Sequence, residues 1–150
     1  MTLSVLIVCL GNICRSPMGE AVLKHEAQKR GIDINVDSAG TSSCHAGDDP
    51  DDRTIETCKK HKVPIQHSAR QVKESDFKDF QYILAADGSN LRNLQKLEPS
   101  DPSAELRLWG SYLDNKPIAD PYYGDMNDFE RCFEQCTKLS NGFLDEVVGK

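Results

Sequence analysis

The chain begins with an apolar run that leads into a glycine-containing loop: Leu3-Ser4-Val5-Leu6-Ile7-Val8-Cys9-Leu10-Gly11-Asn12-Ile13-Cys14-Arg15-Ser16-Pro17. Residues 3–9 are almost all apolar or β-branched, which is typical of a strand that is covered on both faces in a parallel sheet. Pro17 stands where a first helical residue would fall, with Ser16 as its N-cap, and the predicted helix runs to Arg30 and stops at Gly31. The stretch therefore predicts a strand, a short loop and a helix.

The rest of the chain continues this alternation of strands and helices. Apolar runs predict strands at 34–38, 82–86 and 105–109, and helices are expected at 51–61 and 89–97. After a polar loop at 112–128 comes a helix with one apolar face, formed by Phe129, Phe133, Cys136, Leu139, Phe143 and Val147. This order predicts a single α/β domain over residues 1–150, a flavodoxin-like three-layer fold with a four-stranded parallel sheet.

Length and charge narrow the classes of function. The 150 residues suffice for one domain with its own core, and the formal net charge of −6 argues against a nucleic-acid or anionic-membrane partner. The run at 3–10 lacks the basic flank and cleavage site of a signal peptide, so we expect a cytoplasmic protein whose six cysteines stay reduced. No Cys-x-x-Cys pair occurs, so we expect neither a metal nor another cofactor.

The loop at residues 9–16 joins the carboxyl end of the first strand to the start of a helix. Parallel α/β sheets bind ligands at this end, and the free N–H groups of a helix N-terminus attract anions. Gly11 allows the backbone to curl so that successive N–H groups converge, and the Arg15 guanidinium can hold two phosphate oxygens at once. The sequence therefore predicts a phosphate-binding loop that contains Leu10, Gly11, Asn12, Ile13, Cys14 and Ser16.

Cys9 lies where the positive potential of this loop converges. Such surroundings favour the thiolate, which is the nucleophilic form of cysteine. A thiolate beneath a bound phosphate can attack it, while Arg15 and the loop amides stabilise the equatorial oxygens of the transition state. The Ser16 hydroxyl can donate to the sulfur and help it to leave in a second step. A nucleotide-type P-loop is excluded because the Gly-x4-Gly-Lys pattern is absent.

Several further motifs follow the loop in order along the chain. They are Asp37-Ser38-Ala39-Gly40-Thr41, His67-Ser68-Ala69-Arg70, Tyr82-Ile83-Leu84-Ala85-Ala86-Asp87, Ser89-Asn90-Leu91 and Asp120-Pro121-Tyr122-Tyr123-Gly124. Together with residues 8–17, they make nearly the whole chain resemble the low-molecular-weight protein tyrosine phosphatases. The resemblance implies a phosphatase of the acid phosphatase type, with phosphotyrosine-containing proteins or small aryl phosphates as partners.

The resemblance also assigns roles to individual residues. It implies that Cys9 forms a phosphocysteine intermediate, that Arg15 binds the phosphoryl group, and that Asp120 is first general acid and then general base. A leaving phenol needs a proton, so the chemistry requires such an acid in any case. The positions of Ser38 and His67 match family residues that hold the loop in shape, together with Asn12. Cys14 matches a cysteine that forms a reversible disulfide with the nucleophile under peroxide.

One stretch departs from the family pattern. Family members acting on phosphotyrosine usually carry an aromatic residue in the loop after Asp-Ser-Ala-x-Thr, and alignment places Cys44 at that wall of the substrate cleft. We therefore expect weaker stacking on this side, with Tyr122 and Tyr123 lining the other side. Four nearby aspartates make the rim acidic, which either favours basic phosphopeptides or marks a solvated loop: Asp48, Asp49, Asp51 and Asp52.

Other functions on the same scaffold remain open at this point. A thiol-dependent arsenate reductase would need a further cysteine pair near residues 85–97, and this region contains none. A catalytically weak phosphoprotein-binding relative, or a protein regulated through Cys9 and Cys14, would leave the motifs unchanged. We expect a monomer or a weak homodimer.

Overall fold

Four parallel strands form the sheet in the order β2-β1-β3-β4 in the computed structural model, which describes residues 2–149. The strands are β1 (Leu3–Cys9), β2 (Ile34–Gly40), β3 (Tyr82–Ala85) and β4 (Glu105–Leu108). The helices are α1 (Arg15–Lys29), α2 (Asp52–Lys60), α3 (Asp76–Asp79), α4 (Gly88–Leu97) and α5 (Met126–Val147). The described residues also form two 3₁₀ helices, Trp109–Tyr112 and Pro121–Tyr123.

The central strand β1 is buried on both faces. Val5, Ile7 and Cys9 belong to the core beneath α1, α2 and α5, whereas Leu6 and Val8 belong to the core beneath α3 and α4. Helices therefore cover both sides of the sheet, which explains the unbroken apolarity of β1. The predicted three-layer α/β fold with a four-stranded parallel sheet is confirmed.

The position of β1 decides where a ligand can bind. It pairs with β2 along its whole length, so that Cys9 lies opposite Gly40, and with β3 on its other side. The chain leaves β1 toward β2 on one side, and β3 is added on the other, so the strand order switches direction at β1. A crevice opens at such a point beyond the carboxyl ends of the strands, and Cys9 stands at its floor.

The first helix begins earlier than the sequence predicts. It starts at Arg15, with Cys14 as its N-cap and no side-chain cap, so the prediction of Ser16 as the N-cap is wrong. The Ser16 side chain instead contacts Cys9 and Asn12. The helix start is therefore stabilised through the loop rather than through its own cap.

The other boundaries differ by a few residues. β2 extends to Gly40, and the short helix α3 was not predicted. The polar loop at 112–128 contains a 3₁₀ helix and the first turn of α5, where Asp125 and Asp128 form a capping box. Among residues 2–149, every helix is too short or too polar to cross a membrane.

Candidate active site

The loop after β1 curls around the sulfur of Cys9. Asn12 adopts a left-handed backbone conformation with φ of 59°, and its N–H points to Cys9 Sγ at 3.3 Å. The end of β2 holds the loop from outside, because the N–H groups of Thr41 and Ser42 donate to the carbonyls of Cys9 and Leu10. Gly40 is required there, since a Cβ on it would lie 2.6 Å from the Leu10 carbonyl oxygen.

A hydroxyl group lies beside the sulfur. Ser16 Oγ is 3.0 Å from Cys9 Sγ, and it accepts a hydrogen bond from the Asn12 amide at 2.7 Å. Since the amide supplies one hydrogen to this oxygen, the hydroxyl can donate its own hydrogen to the sulfur or, over 3.4 Å, to the Ala39 carbonyl. The Ser16 hydroxyl is thus within hydrogen-bonding distance of the Cys9 sulfur.

The Asn12 side chain holds the loop in its curled shape. Its amide nitrogen donates to Ser16 and also to Ser38 Oγ at 3.0 Å. Its carbonyl oxygen lies 2.7 Å from His67 Nε2 and accepts from the Arg70 N–H at 2.9 Å. Asn12 is fully buried, so these four contacts use the full hydrogen-bonding capacity of its side chain.

A charged network lies behind Asn12. Ser38 donates to Glu20 Oε1 at 2.7 Å, and His67 Nδ1 is 3.1 Å from the same oxygen. Glu20, Asp37 and His67 form the one cluster of potential metal ligands found within residues 2–149. The three side chains already contact Ser38, Arg70 and Asn12, so the cluster serves as a support for the loop. The sequence did not single out Glu20, although a glutamate on the inner face of α1 requires such partners.

Arg15 is held rigidly at the edge of the loop. Its side chain is 4% exposed, and Nη1 donates to Asp87 Oδ2 at 2.7 Å and to the Ile118 carbonyl at 3.0 Å. Burial opposes the charge, but the hydrogen bond to Asp87 and the charges of Cys9 and Asp120 outweigh it and raise the pKa of Arg15. Arg15 is therefore a fixed cation beside the sulfur.

Asp120 faces the same space from a different part of the chain. It caps the 3₁₀ helix Pro121–Tyr123 by accepting from the Tyr122 N–H at 3.1 Å. Its other oxygen is 3.7 Å from Arg15 Nη2, and the side chain is 36% exposed. The carboxyl group is therefore accessible to solvent while it lines the same cavity as Cys9.

These residues surround a cavity of about 190 Å³. Its lining comprises Cys9, Leu10, Gly11, Ile13, Cys14, Arg15, His45, Asp120, Tyr122 and Tyr123. The structure thus brings together residues more than 100 positions apart in the sequence, as the Arg15–Ile118 contact across 103 positions illustrates. Tyr123 is almost fully exposed at the rim, with its ring edge-on to that of Tyr122 at 4.9 Å.

The cavity lining differs from the sequence prediction at one position. Cys44 does not line the cavity, and the neighbouring His45 lines it instead. The Cys44 N–H donates to Ser42 Oγ, which in turn lies 2.8 Å from Cys44 Sγ, and this local turn leaves Cys44 exposed. The His45 ring packs against Gly11, where an added Cβ would meet it at 3.0 Å. The sequence comparison therefore identified the correct segment, but the turn formed by Ser42 and Cys44 decides which side chain reaches the cavity.

Cys14 lines the same cavity as Cys9. It is buried, and this burial, together with the nearby carboxylates of Asp51 and Asp120, raises its pKa. Cys14 therefore remains a neutral thiol near neutral pH. The six cysteines are all free thiols.

Comparison with known proteins places this geometry in a family. The model of the low molecular weight phosphotyrosine protein phosphatases matches residues 4–150. The chain is 44% identical to the low molecular weight phosphotyrosine protein phosphatase of Schizosaccharomyces pombe, over 97% of each chain. It superposes on a protein tyrosine phosphatase from Entamoeba histolytica with a TM-score of 0.92 and 32% identity, over 97% of each chain.

A further solved structure is similar at comparable identity. The Drosophila arginine phosphatase superposes with a TM-score of 0.89 and 40% identity, over 95% of this chain and 96% of that one. Together with the match over residues 4–150, these similarities confirm the resemblance found in the sequence. The chain belongs to the low molecular weight phosphotyrosine protein phosphatase family.

Proposed function

We propose that the protein hydrolyses phosphotyrosine in proteins, and small aryl phosphates, through a cysteinyl-phosphate intermediate. The observation that carries this proposal is the convergence of Cys9, Arg15 and Asp120 on one cavity. A nucleophile, a cation for the phosphoryl oxygens and a proton donor are the groups that this reaction needs.

In the first step, the Cys9 sulfur attacks phosphorus and an S–P bond forms as the ester P–O bond breaks. Asp120 gives its proton to the departing phenolic oxygen, so that the leaving group departs as a neutral phenol. Arg15 and the amides of the loop bind the three equatorial oxygens throughout. The hydrogen bonds of Asn12 hold the loop in this shape before substrate arrives, so no reorganisation is needed during the reaction.

In the second step, a water molecule attacks phosphorus and the S–P bond breaks. The Asp120 carboxylate takes a proton from this water, and inorganic phosphate is released. The electron pair of the broken bond returns to sulfur, where the Ser16 hydroxyl at 3.0 Å stabilises the thiolate as it leaves. Asp120 is then protonated again, ready for the next substrate.

The cavity lining favours an aryl ester over other phosphate monoesters. Apolar and aromatic side chains line the cavity, namely Leu10, Ile13, His45, Tyr122 and Tyr123. A phenyl ring between these walls keeps its contacts with apolar surface, while the phosphoryl group reaches Cys9. Phosphoarginine is the second candidate, because the chain is 40% identical to the Drosophila arginine phosphatase. Equal or better turnover of phosphoarginine than of phosphotyrosine would reassign the substrate class.

The decisive experiment measures p-nitrophenyl phosphate hydrolysis in the presence of a chelator. Wild type should be active and Cys9→Ser inactive, and kcat of Asp120→Ala should fall by about 10²-fold or more because the second step loses its general base. Activity that survives Cys9→Ser, or that requires a divalent metal, would overturn the mechanism. Wild type without activity, but with retained phosphopeptide binding, would favour a binding protein instead.

The cellular setting is also part of the proposal. We infer that residues 1–150 act as one catalytic domain in the cytoplasm, as a monomer or a weak homodimer. The net charge of −6 disfavours binding to nucleic acid or anionic membranes. Gel filtration coupled to light scattering will give the oligomeric state.

We further propose that Cys14 protects Cys9 from irreversible oxidation. Peroxide converts the Cys9 thiolate to a sulfenic acid, and the Cys14 thiol then displaces water to form a disulfide. Both cysteines line the same cavity, which supports this pairing. The raised pKa of Cys14 predicts that the second step is slow at neutral pH, because little Cys14 thiolate is present. After peroxide treatment, dithiothreitol should restore the activity of wild type but not of Cys14→Ser.

A further inference from the structure

The segment that enters α2 contacts both the phosphate-binding loop and the loop that follows Asp120. The Asp51 N–H donates to the Ile13 carbonyl at 2.7 Å, and Thr54 Oγ1 lies 3.5 Å from the Cys14 carbonyl. Both carbonyls belong to the phosphate-binding loop. The start of α2 is therefore attached to this loop on its outer side.

Arg53 is held in one orientation on this segment. Its Nε and Nη2 donate to the two oxygens of Asp51, each at 3.0 Å, in a bidentate pair. The hydrogen bond from Arg53 holds the pKa of Asp51 below its usual range. The Asp51 side chain is 13% exposed and that of Arg53 is 33% exposed, so solvent screens this pair only in part. The guanidinium also lies 4.5 Å from the centre of the Phe129 ring, which fixes its plane.

The remaining donors of Arg53 reach the loop that carries Asp120. Nη2 donates to the Tyr122 carbonyl at 3.0 Å and Nη1 to the Gly124 carbonyl at 3.2 Å. These carbonyls lie at the end of the 3₁₀ helix whose first turn is capped by Asp120. Since that helix is only three residues long, holding its end also holds its cap.

The other side of Asp120 is anchored separately. The Ile118 carbonyl accepts from Arg15, and the Ile118 N–H donates to the Ala86 carbonyl at 2.8 Å. Asp120 thus lies between two backbone anchors, with Arg15 before it in the chain and Arg53 after it. Arg15 itself lines the cavity, whereas Arg53 does not. Arg53 can therefore be replaced without removing a side chain from the phosphate-binding site.

We propose that Arg53 is a positioning residue that sets the proton-donating geometry of Asp120 relative to the phosphate-binding loop. This inference rests on the proposed function and deepens it. Arg53 does not line the cavity, so it acts through the backbone of residues 122–124. Displacement of a catalytic group by about 1 Å can reduce a rate by up to about 10²-fold.

The test compares two leaving groups in Arg53→Ala. Phenyl phosphate needs a proton on its leaving oxygen, whereas p-nitrophenol leaves readily as an anion. We expect kcat/KM to fall by about tenfold for phenyl phosphate and by about twofold or less for p-nitrophenyl phosphate. In an Asp120→Ala background, Arg53→Ala should change kcat/KM by no more than about twofold for either substrate, because the carboxyl group that Arg53 positions is gone. Arg53→Lys keeps the charge but cannot bridge both carbonyls, so it should fall between Ala and wild type.

Arg131→Ala is the matched control. Arg131 is an exposed arginine on α5 that pairs with Asp128 within the same helix. Its removal should leave kcat/KM unchanged for both substrates. An equal loss of kcat/KM for both substrates would show a general structural effect and overturn the inference. So would a double variant in which the losses from Arg53→Ala and Asp120→Ala simply add.

A second measurement does not depend on activity. Amide hydrogen exchange of residues 118–125 should become faster in Arg53→Ala but not in Arg131→Ala, and unchanged exchange would also overturn the inference. If wild type hydrolyses neither substrate, the proposed function fails, whereas the exchange result still reports on Arg53.

Discussion

Arg15 Nη1 and Asp87 Oδ2 lie 2.7 Å apart and join the start of α1 to the start of α4. Burial alone would raise the pKa of Asp87, but the hydrogen bonds from Arg15 and from the Asn90 N–H outweigh it and lower the pKa. The folded protein therefore binds this proton less tightly than the unfolded chain does. Asp87 adds stability above the ordinary aspartate pKa of about 3.9, and this stability is lost as the pH falls through the lower folded pKa.

Asp87→Asn tests this ion pair through its pH dependence. Asparagine keeps an acceptor for the N-cap of α4 but loses the charge. We expect the free energy of unfolding to fall by about 1–2 kcal/mol at neutral pH, because Arg15 stays buried with a weaker partner. The difference from wild type should narrow below about pH 4. Urea unfolding across this range is the measurement, and a constant difference at all pH values would contradict the assignment.

Asn12→Ala should disrupt both stability and activity. It removes four buried contacts and places alanine in a left-handed backbone conformation. We expect a loss of about 2–4 kcal/mol in the free energy of unfolding and a fall in kcat/KM of about tenfold or more. Asn93→Ala, at an exposed position on α4, is the control and should stay within about 0.5 kcal/mol of wild type.

Ser16→Ala should slow the second chemical step more than the first. In the proposed mechanism, the Ser16 hydroxyl, 3.0 Å from Cys9 Sγ, stabilises the thiolate leaving group when the S–P bond breaks. Loss of a hydrogen bond to a charged group costs about 1.5–3 kcal/mol, so we expect kcat to fall by about tenfold or more. Rapid mixing with p-nitrophenyl phosphate should show a burst of nitrophenol followed by a slow steady state. A variant whose phosphoenzyme does not accumulate beyond the wild-type level would contradict this role.

His45→Ala and Cys44→Ala form a pair that tests the substrate wall. The His45 ring lines the cavity, whereas Cys44 does not. Loss of an aromatic contact worth about 0.5–1.5 kcal/mol predicts a KM for aryl phosphates that is about two- to tenfold higher in His45→Ala. Cys44→Ala should leave KM unchanged. The reverse ranking would return the wall to Cys44, as the alignment alone suggested.

Much of the fold follows from local patterns in the chain. Residues 3–9 form β1 as predicted, because a run of β-branched and apolar side chains is stable when both faces are covered. The proposed nucleophile Cys9 and its neighbour Arg15 were also visible from sequence, since the loop between a strand and a helix start combines a thiol, a glycine and a guanidinium within a few residues. The residues that shape this loop and those that carry its chemistry are neighbours in the sequence, so the loop can be recognised without knowledge of contacts between distant segments.

Other features depend on contacts between distant segments. The hydroxyl of Ser16 is directed to Cys9 instead of capping α1 because Asn12, itself fixed by Ser38 and His67, donates to it. His45 rather than Cys44 meets the cavity because a turn at Ser42 directs the side chains.

The role inferred for Arg53 could not be found from sequence either, because its acceptors lie 69 and 71 positions away in the chain. Pattern and composition thus determine which segments form strands, and they predict which loop binds phosphate. The directions of individual side chains in that loop and around it are set by hydrogen bonds that exist only once the sheet has brought these segments together.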